Sequence, residues 1–224
     1  MYKNLNKKYS PGVFMLARKT ENSVEFLGTG FLVSSQGHVL TCSHVINPLD
    51  KIVAISIGTV NTFNPMTLSQ VQYNDLILVQ NDAIYDVALL KFAQDIGFTV
   101  PVNIFGDTNK LENGSSIATI GFPFANNGLH IQSITHGIIS SKTVTPSGIK
   151  LLQFDTMIHE GNSGSPLLDL QTNQIVGIVT NRFNPTGGGG ASVMLGNRQL
   201  GVETNISYAA VIEYGKELLN SEIN

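Results

Sequence analysis

Short apolar runs alternate with turn residues along almost the whole chain: GVFMLAR, VEFLGTGFLVSS, GHVLTCSHVI, KIVAISIG, LILVQ, DVALLKF, SSIATIGF, GIIS, LLQFDT, QIVGIVT and NISYAAVI. These runs are rich in Val, Ile and Phe, and Gly, Asn, Pro or Ser separates them about every ten residues, which predicts many short strands in an all-β barrel or sandwich. One helix is expected over YAAVIEYGKELLN, residues 208–220, with apolar positions at Val211, Ile212, Leu218 and Leu219 and a weak point at Gly215. The span QDIGFTVPVNIFGDTNKLENG, residues 94–114, breaks the pattern with Gly97, Pro101, Gly106 and Gly114. It marks the boundary between an N-terminal half, residues 10–100, and a C-terminal half, residues 101–224. TGGGGAS, residues 186–192, has no following lysine or helix start, so it reads as a flexible surface loop rather than a phosphate cradle. The basic opening YKNLNKK reads as a solvated end.

Composition narrows the class. A chain of 224 residues with 42% hydrophobic and 13% charged residues and 22 glycines can bury a sizeable core, and this balance excludes a disordered or coiled-coil chain. The net charge is −3 and the 13 Lys and Arg are scattered, so neither nucleic acid nor an anionic membrane is expected as a partner. No apolar run approaches the roughly 18 residues of a membrane span. The first residues make a poor signal peptide, interrupted by Pro11 and Arg18, and a cytoplasmic protein is therefore expected. Cys42 is alone, so no intramolecular disulfide forms, and it is expected as a small buried hydrophobe.

The segment HEGNSGSPLLD, residues 159–169, places Ser163 beside Gly164 and two residues after Gly161. A serine hydroxyl is a weak nucleophile that needs a histidine base and an orienting carboxylate. All five histidines precede Ser163, and the first aspartate, Asp50, follows His38 and His44, so His, Asp, Ser is the natural chain order. His44 follows a strand-like run that can hold its ring, whereas His38 sits in a Gln-Gly-His turn. Asp86 lies at the mouth of the apolar strand VALLKF, where burial makes sense only with a partner; Asp82, in a more polar stretch, competes with it. Glycines 161 and 164 permit a tight turn through Asn162 that aims the amides of Gly161 and Ser163 at one point, an oxyanion hole. Singly, each of these residues also has an ordinary structural role. Cys42, His44 and His38 offer metal-ligand types, but the Cys-x-His spacing lacks a second ligand pair, and neither a metal nor an organic cofactor is expected.

TCSHV, DVALL and GNSGSPL together resemble the three signature segments of trypsin-like serine proteases, and in particular the disulfide-free bacterial Deg/HtrA type. GTGFLVSSQGHVLTCSHVI, IATIGFPF with ITHGIIS, and QFDTMIHEGNSGSPLLD extend the likeness from about Val13 to the last helix. The resemblance implies two perpendicular six-stranded β-barrels with a C-terminal helix, His44 and Asp86 on the first barrel and Ser163 on the second. It implies peptide or protein substrates and the roles of nucleophile for Ser163, general base and acid for His44 and orienting group for Asp86. Asn162 stands where zymogen-derived trypsins carry an aspartate that pairs with a new N-terminal amine, so the loops at 122–130 and 182–192 are expected to be ordered another way, by substrate or an activating protein partner. Ser165 replaces a common glycine, and no PDZ domain is expected after the protease. Six residues before the nucleophile, Met157 is expected to floor the primary pocket, with Ile158 following and walls from Thr180, Asn181 and Arg182 facing Ile206 and Ser207. Such a floor favours small or medium aliphatic side chains, while Arg182 or His159 would favour acidic ones. A catalytically silent peptide-binding module and an esterase are the alternatives.

Overall fold

The computed structural model describes residues 1–56, 58, 61–182, 193–195, 198–200 and 206–223. After an N-terminal helix α1 (Tyr2–Tyr9), the strands β1 (Val13–Lys19), β2 (Val24–Leu32), β3 (His38–Thr41), β4 (Ile52–Ile55), β5 (Tyr73–Asp82) and β6 (Val87–Phe92) follow. They close an antiparallel barrel in the order β1-β2-β3-β6-β5-β4. A second barrel uses β7 (Ser116–Gly121), β8 (Ser133–Val144), β9 (Lys150–Asp155), β10 (Pro166–Asp169) and β11 (Gln174–Arg182). A small ladder of β12 (Val193–Leu195) with β13 (Arg198–Leu200) precedes β14 (Ile206–Val211), which completes that barrel in the order β10-β11-β14-β9-β8-β7. The C-terminal helix α2 spans Ile212–Ile223. This is the all-β, two-barrel architecture expected of the chain. Closure removes the edges of the two barrel sheets and lets short apolar strands bury one face against each other.

The apolar cores meet at the junction. One cluster fills the first barrel and continues through Ile104, Ile120, Phe122, Ile178 and Ile212, while Ile117, Ile139, Leu152, Phe154 and Val179 fill the second. Between the barrels, residues 104–106 run along β11: Ile175 N–H donates to Ile104 O and Gly106 N–H to Ile175 O, each at 2.8 Å. Glu213 of α2 binds the same connecting segment, accepting from Thr108 N–H (3.0 Å) and Thr108 Oγ1 (2.9 Å). Among the described residues, no helix is long and apolar enough to cross a membrane.

Both chain ends depart from expectation. The basic opening is a helix rather than a solvated end. Leu5 and Tyr9, four residues apart and so on one face, are buried, and Tyr9 Oη donates to Asn173 O at 2.8 Å. Burial pushes the Tyr9 phenol well above its ordinary range. The expected C-terminal helix begins four residues late, because Tyr208–Ala210 pair on both sides, with β9 and β11, and Val211 with β11. Two-sided ladder bonding of Ala209 and Ala210 outweighs alanine's helix preference. Gly215 then lets α2 come close to both barrels: a Cβ there would lie 2.6 Å from Leu40 Cδ1 and 3.3 Å from Ile178 Cδ1.

Removing the Leu5 side chain as Leu5→Ala is expected to destabilise the fold by about 2–5 kcal/mol in denaturant unfolding, the cost of a buried leucine, whereas a solvated end would give no change. His38 supplies a second test. Its ring is fully buried on β3, with Nδ1 2.6 Å from Ser34 Oγ and no partner for Nε2 among the described residues. Burial first, then the nearby Lys91, lowers its pKa below 6.5, against a weaker opposing effect of Glu222. The unfolded chain therefore takes up this proton first. The stability contribution is complete above the unfolded pKa and is lost as pH falls through the folded one. Thermal midpoints measured from pH 7.5 downward are expected to decline less steeply for His38→Gln than for the parent.

Candidate active site

His44 sits in a 3-10 turn, Ser43–Val45, that ends β3, so the strand holds its backbone while the side chain stays half exposed. Asp86 ends the β5–β6 turn in a left-handed conformation, φ +57°, which aspartate tolerates better than most residues. That conformation turns the carboxylate onto His44. Asp86 Oδ1 accepts the His44 backbone N–H at 2.9 Å, and Nδ1 lies 2.9 and 2.8 Å from Oδ1 and Oδ2. An ionised carboxylate only accepts, so this geometry assigns the ring proton to Nδ1 and leaves Nε2 as a lone-pair base. Asp82 is occupied elsewhere: its Oδ1 caps the turn by accepting from the amides of Ile84 and Tyr85.

Ser163 lies in a turn that the first barrel grips directly. Thr29 on β2 donates its N–H to Ser163 O (2.8 Å) and its Oγ1 to Gly161 O (2.6 Å), while Thr41 Oγ1 donates to Thr29 O (2.7 Å). At Gly28 the Ser163 carbonyl and the Val45 side chain, next to His44, converge: each would lie 2.9 Å from a Cβ placed there. Gly161 and Gly164 have φ of +97° and +87°, and a Cβ would approach Phe122 O at 2.2 Å or Thr29 O at 2.0 Å. Glycine is required at both places for conformation and for space. Gly121 likewise makes room for Ser165, whose Oγ would lie 2.2 Å from a Cβ at residue 121.

The amide directions follow from this turn. Glu160 O accepts from Phe124 N–H (2.8 Å), and Asn162 N–H closes a turn on His159 O (3.1 Å). Among the described residues no acceptor engages the amides of Gly161 and Ser163. Those two remain as donors, and Asn162 is spent in the turn. Ser163 Oγ donates to Thr180 O at 2.9 Å and makes no hydrogen bond to His44. Thr180 is the extra residue of a bulge in β11, between Val179 and Asn181, which re-aims its carbonyl toward the serine.

The expected specificity residues fall in different places. Met157 is half buried, but Ile158 packs into the core of the second barrel. Thr180 and Ser207 are buried, with Ser207 Oγ bonded to Thr156 O, and Ile206 is half buried. The side chains of Asn181 and Arg182, and the loop 186–192, lie outside the described residues. The ring of His159 packs at a tilt against Phe124, centroids 4.4 Å apart. A cavity of about 530 Å³ lies away from Met157, against the first barrel, lined by Met15, Phe26, Leu68 and His130.

Cys42, His44 and Asp86 offer ligand atoms within 4.8 Å of one another, whereas His38 points elsewhere, to Ser34. Burial and the charge of Asp86 push the Cys42 thiol well up, and it donates to Val179 O at 3.1 Å. A protonated, committed thiol and a carboxylate already bound to imidazole suit a hydrogen-bonded pair better than a metal.

Residue 29 was not singled out from sequence, since a threonine in GTGF reads as strand; its flanking glycines were the available signal. Replacing Gly164 by alanine combines a disfavoured φ with a backbone clash. Equilibrium unfolding is expected to show a loss above about 3 kcal/mol, against roughly 1 kcal/mol gained at an unstrained glycine.

The sequence pattern of the trypsin-like peptidase domain matches residues 28–178. A "probable periplasmic serine endoprotease DegP-like" of Pseudomonas putida strain GB-1 is 34% identical over 171 residues, 75% of this chain and 32% of that protein. The magnetosome formation protease MamE of Magnetospirillum gryphiswaldense is 32% identical over 79% of this chain and 21% of its own. The chain thus spans about a third or less of these relatives. Among solved structures, the HtrA-type protease AlgW with tripeptide superposes with a TM-score of 0.71 at 25% identity, covering 100% of this chain and 64% of that one. The serine endoprotease from Yersinia pestis shares the fold at TM-score 0.68 and 22% identity, over 99% of this chain and 66% of its own. The expected cytoplasmic location is corrected by the DegP-like relatives, which are named periplasmic. The sealed Cys42 makes no demand on the redox state around it, so it never argued for a reducing compartment. With its pattern, its relatives and its two barrels in agreement, the chain belongs to the trypsin-like peptidase domain family, in its Deg/HtrA type.

Proposed function

We propose that this domain is a serine endopeptidase acting through an acyl-enzyme. The observation that carries the reading is the Asp86 clamp on His44, which fixes both the backbone and Nδ1 of the histidine and leaves Nε2 as a base. Ser163 Oγ turns from Thr180 O to His44 Nε2, gives up its proton and bonds to the peptide carbonyl carbon. The carbonyl oxygen, now negative, accepts from the amides of Gly161 and Ser163. The C–N bond breaks as the His44 imidazolium passes the proton to the leaving amine, and water repeats the sequence to release the acid. Asp86 stays ionised and stabilises the imidazolium. The half-buried Met157 supports a preference for small or medium aliphatic side chains before the scissile bond.

A second reading is supported by the bond from Ser163 Oγ to Thr180 O: a gated protease whose resting nucleophile waits for substrate or a protein partner to turn it.

A fluorophosphonate probe is expected to label Ser163, located by mass spectrometry, with labelling lost in Ser163→Ala. His44→Ala is expected to slow it by about four orders of magnitude or more, and Asp86→Ala by a comparable amount. A wild-type chain that labels only after peptide or an activating protein is added supports the gated reading, and one that labels under none of these conditions refutes both and leaves the silent peptide-binding module. Turnover on a peptide library is expected to favour Val, Leu or Ala before the cleaved bond; a Lys or Arg preference rules out the Met157 floor.

A further inference from the structure

Thr29 belongs to the first barrel, yet two of its three polar groups are spent on the turn of the second. Its side chain is fully buried, it sits in the middle of β2, and its own carbonyl is held by Thr41. The turn it grips pivots on Gly161. That residue has no side chain, a positive φ and no room for a Cβ, so no side chain of its own anchors it and hydrogen bonds set how the peptide planes on either side of it are turned within that packing. The upstream plane carries the Gly161 amide, and its carbonyl, Glu160 O, is bound to Phe124 N–H. The downstream plane carries Gly161 O, bound to Thr29 Oγ1 at 2.6 Å, and its N–H, Asn162, reaches His159 O.

We infer that Thr29 is a positioning residue for the oxyanion site: its hydroxyl pins the downstream plane at Gly161 O, which anchors the turn from which the Gly161 and Ser163 amides point at the developing charge. This rests on the serine endopeptidase reading above. The bond from Thr29 N–H to Ser163 O fixes the far side of the same turn, so one residue sets the spacing of both donors. Without the hydroxyl, Gly161 O is a buried acceptor with no partner; turning its plane toward another donor also pulls Asn162 N–H off His159 O, and the turn that holds the Gly161 and Ser163 amides in place loosens. The consequence falls on catalysis more than on binding, because a misdirected amide loses stabilisation only when negative charge has formed.

Thr29→Val keeps the shape and removes the donor, and Thr29→Ser keeps the donor. Thr29→Val is expected to lower kcat about tenfold to a hundredfold with KM within about twofold, short of the loss of a whole oxyanion donor, and Thr29→Ser to recover most of that loss. Hydrogen exchange supplies a readout independent of turnover: peptides covering residues 159–164 are expected to exchange about tenfold faster in Thr29→Val and near the parent rate in Thr29→Ser. Thr29→Ala repeats both measurements if the valine variant does not fold. An unchanged kcat with unchanged exchange overturns the inference, as does a serine variant as slow as the valine variant. A parent chain that neither labels nor turns over refutes the endopeptidase reading instead, and exchange in the 159–164 turn still decides whether Thr29 holds it.

Discussion

Two hydrogen bonds from one threonine tie the turn of Ser163, on the second barrel, to the first. His44 and Asp86 come from the first barrel and Ser163 from the second, so the distances among them depend on how those bodies are locked together, not on either barrel alone. β2 provides that lock through Thr29 N–H to Ser163 O and Thr29 Oγ1 to Gly161 O, with Thr41 behind it. Each bond contributes only about 1 kcal/mol net to stability. Their weight is geometric: were the candidate groups to act together, a displacement of about 1 Å between them would cost on the order of a hundredfold in rate.

The C-terminal helix is a second tie, placed on the opposite side of Asp86 in sequence terms. Tyr85, the neighbour of Asp86, stacks on Tyr214 of α2 with ring centroids 4.0 Å apart, and Tyr214 Oη accepts from Lys150 N–H on the second barrel at 2.9 Å. Glu213, one residue earlier, holds Thr108 of the connecting segment. One turn of helix therefore touches the first barrel, the second barrel and the segment between them, and it does so beside the turn that aims the carboxylate.

The strands and the three candidate segments were legible because their signals are local: apolar runs between turn residues, a histidine at a strand end, a serine bracketed by glycines. What was missed depends on residues distant in sequence. Leu5 and Tyr9 are an apolar pair in a stretch of lysines and asparagines, and their burial is visible only once a barrel surface exists for them to cover. Ala209 and Ala210 look helical until strands arrive on both sides. Ile158 adjoins Met157 in sequence but points into the core, a matter of one residue's alternation. Thr29 lies more than a hundred residues from the turn it grips, and no spacing rule predicts that Ser163 Oγ rests on the carbonyl of a bulged Thr180.

Cys42 shows what such a junction does to an otherwise reactive atom. Its sulfur is sealed between the barrels and bonded to Val179 O, the same carbonyl that accepts from Gly164 N–H beside Ser163. Kept as a thiol, it is a poor partner for thiol–disulfide exchange, so the folded chain can occupy an oxidising compartment without cross-linking to a neighbour. The sulfur becomes available to oxidants only when the barrels part, which ties the redox chemistry of this chain to the same interface that aligns its candidate catalytic groups.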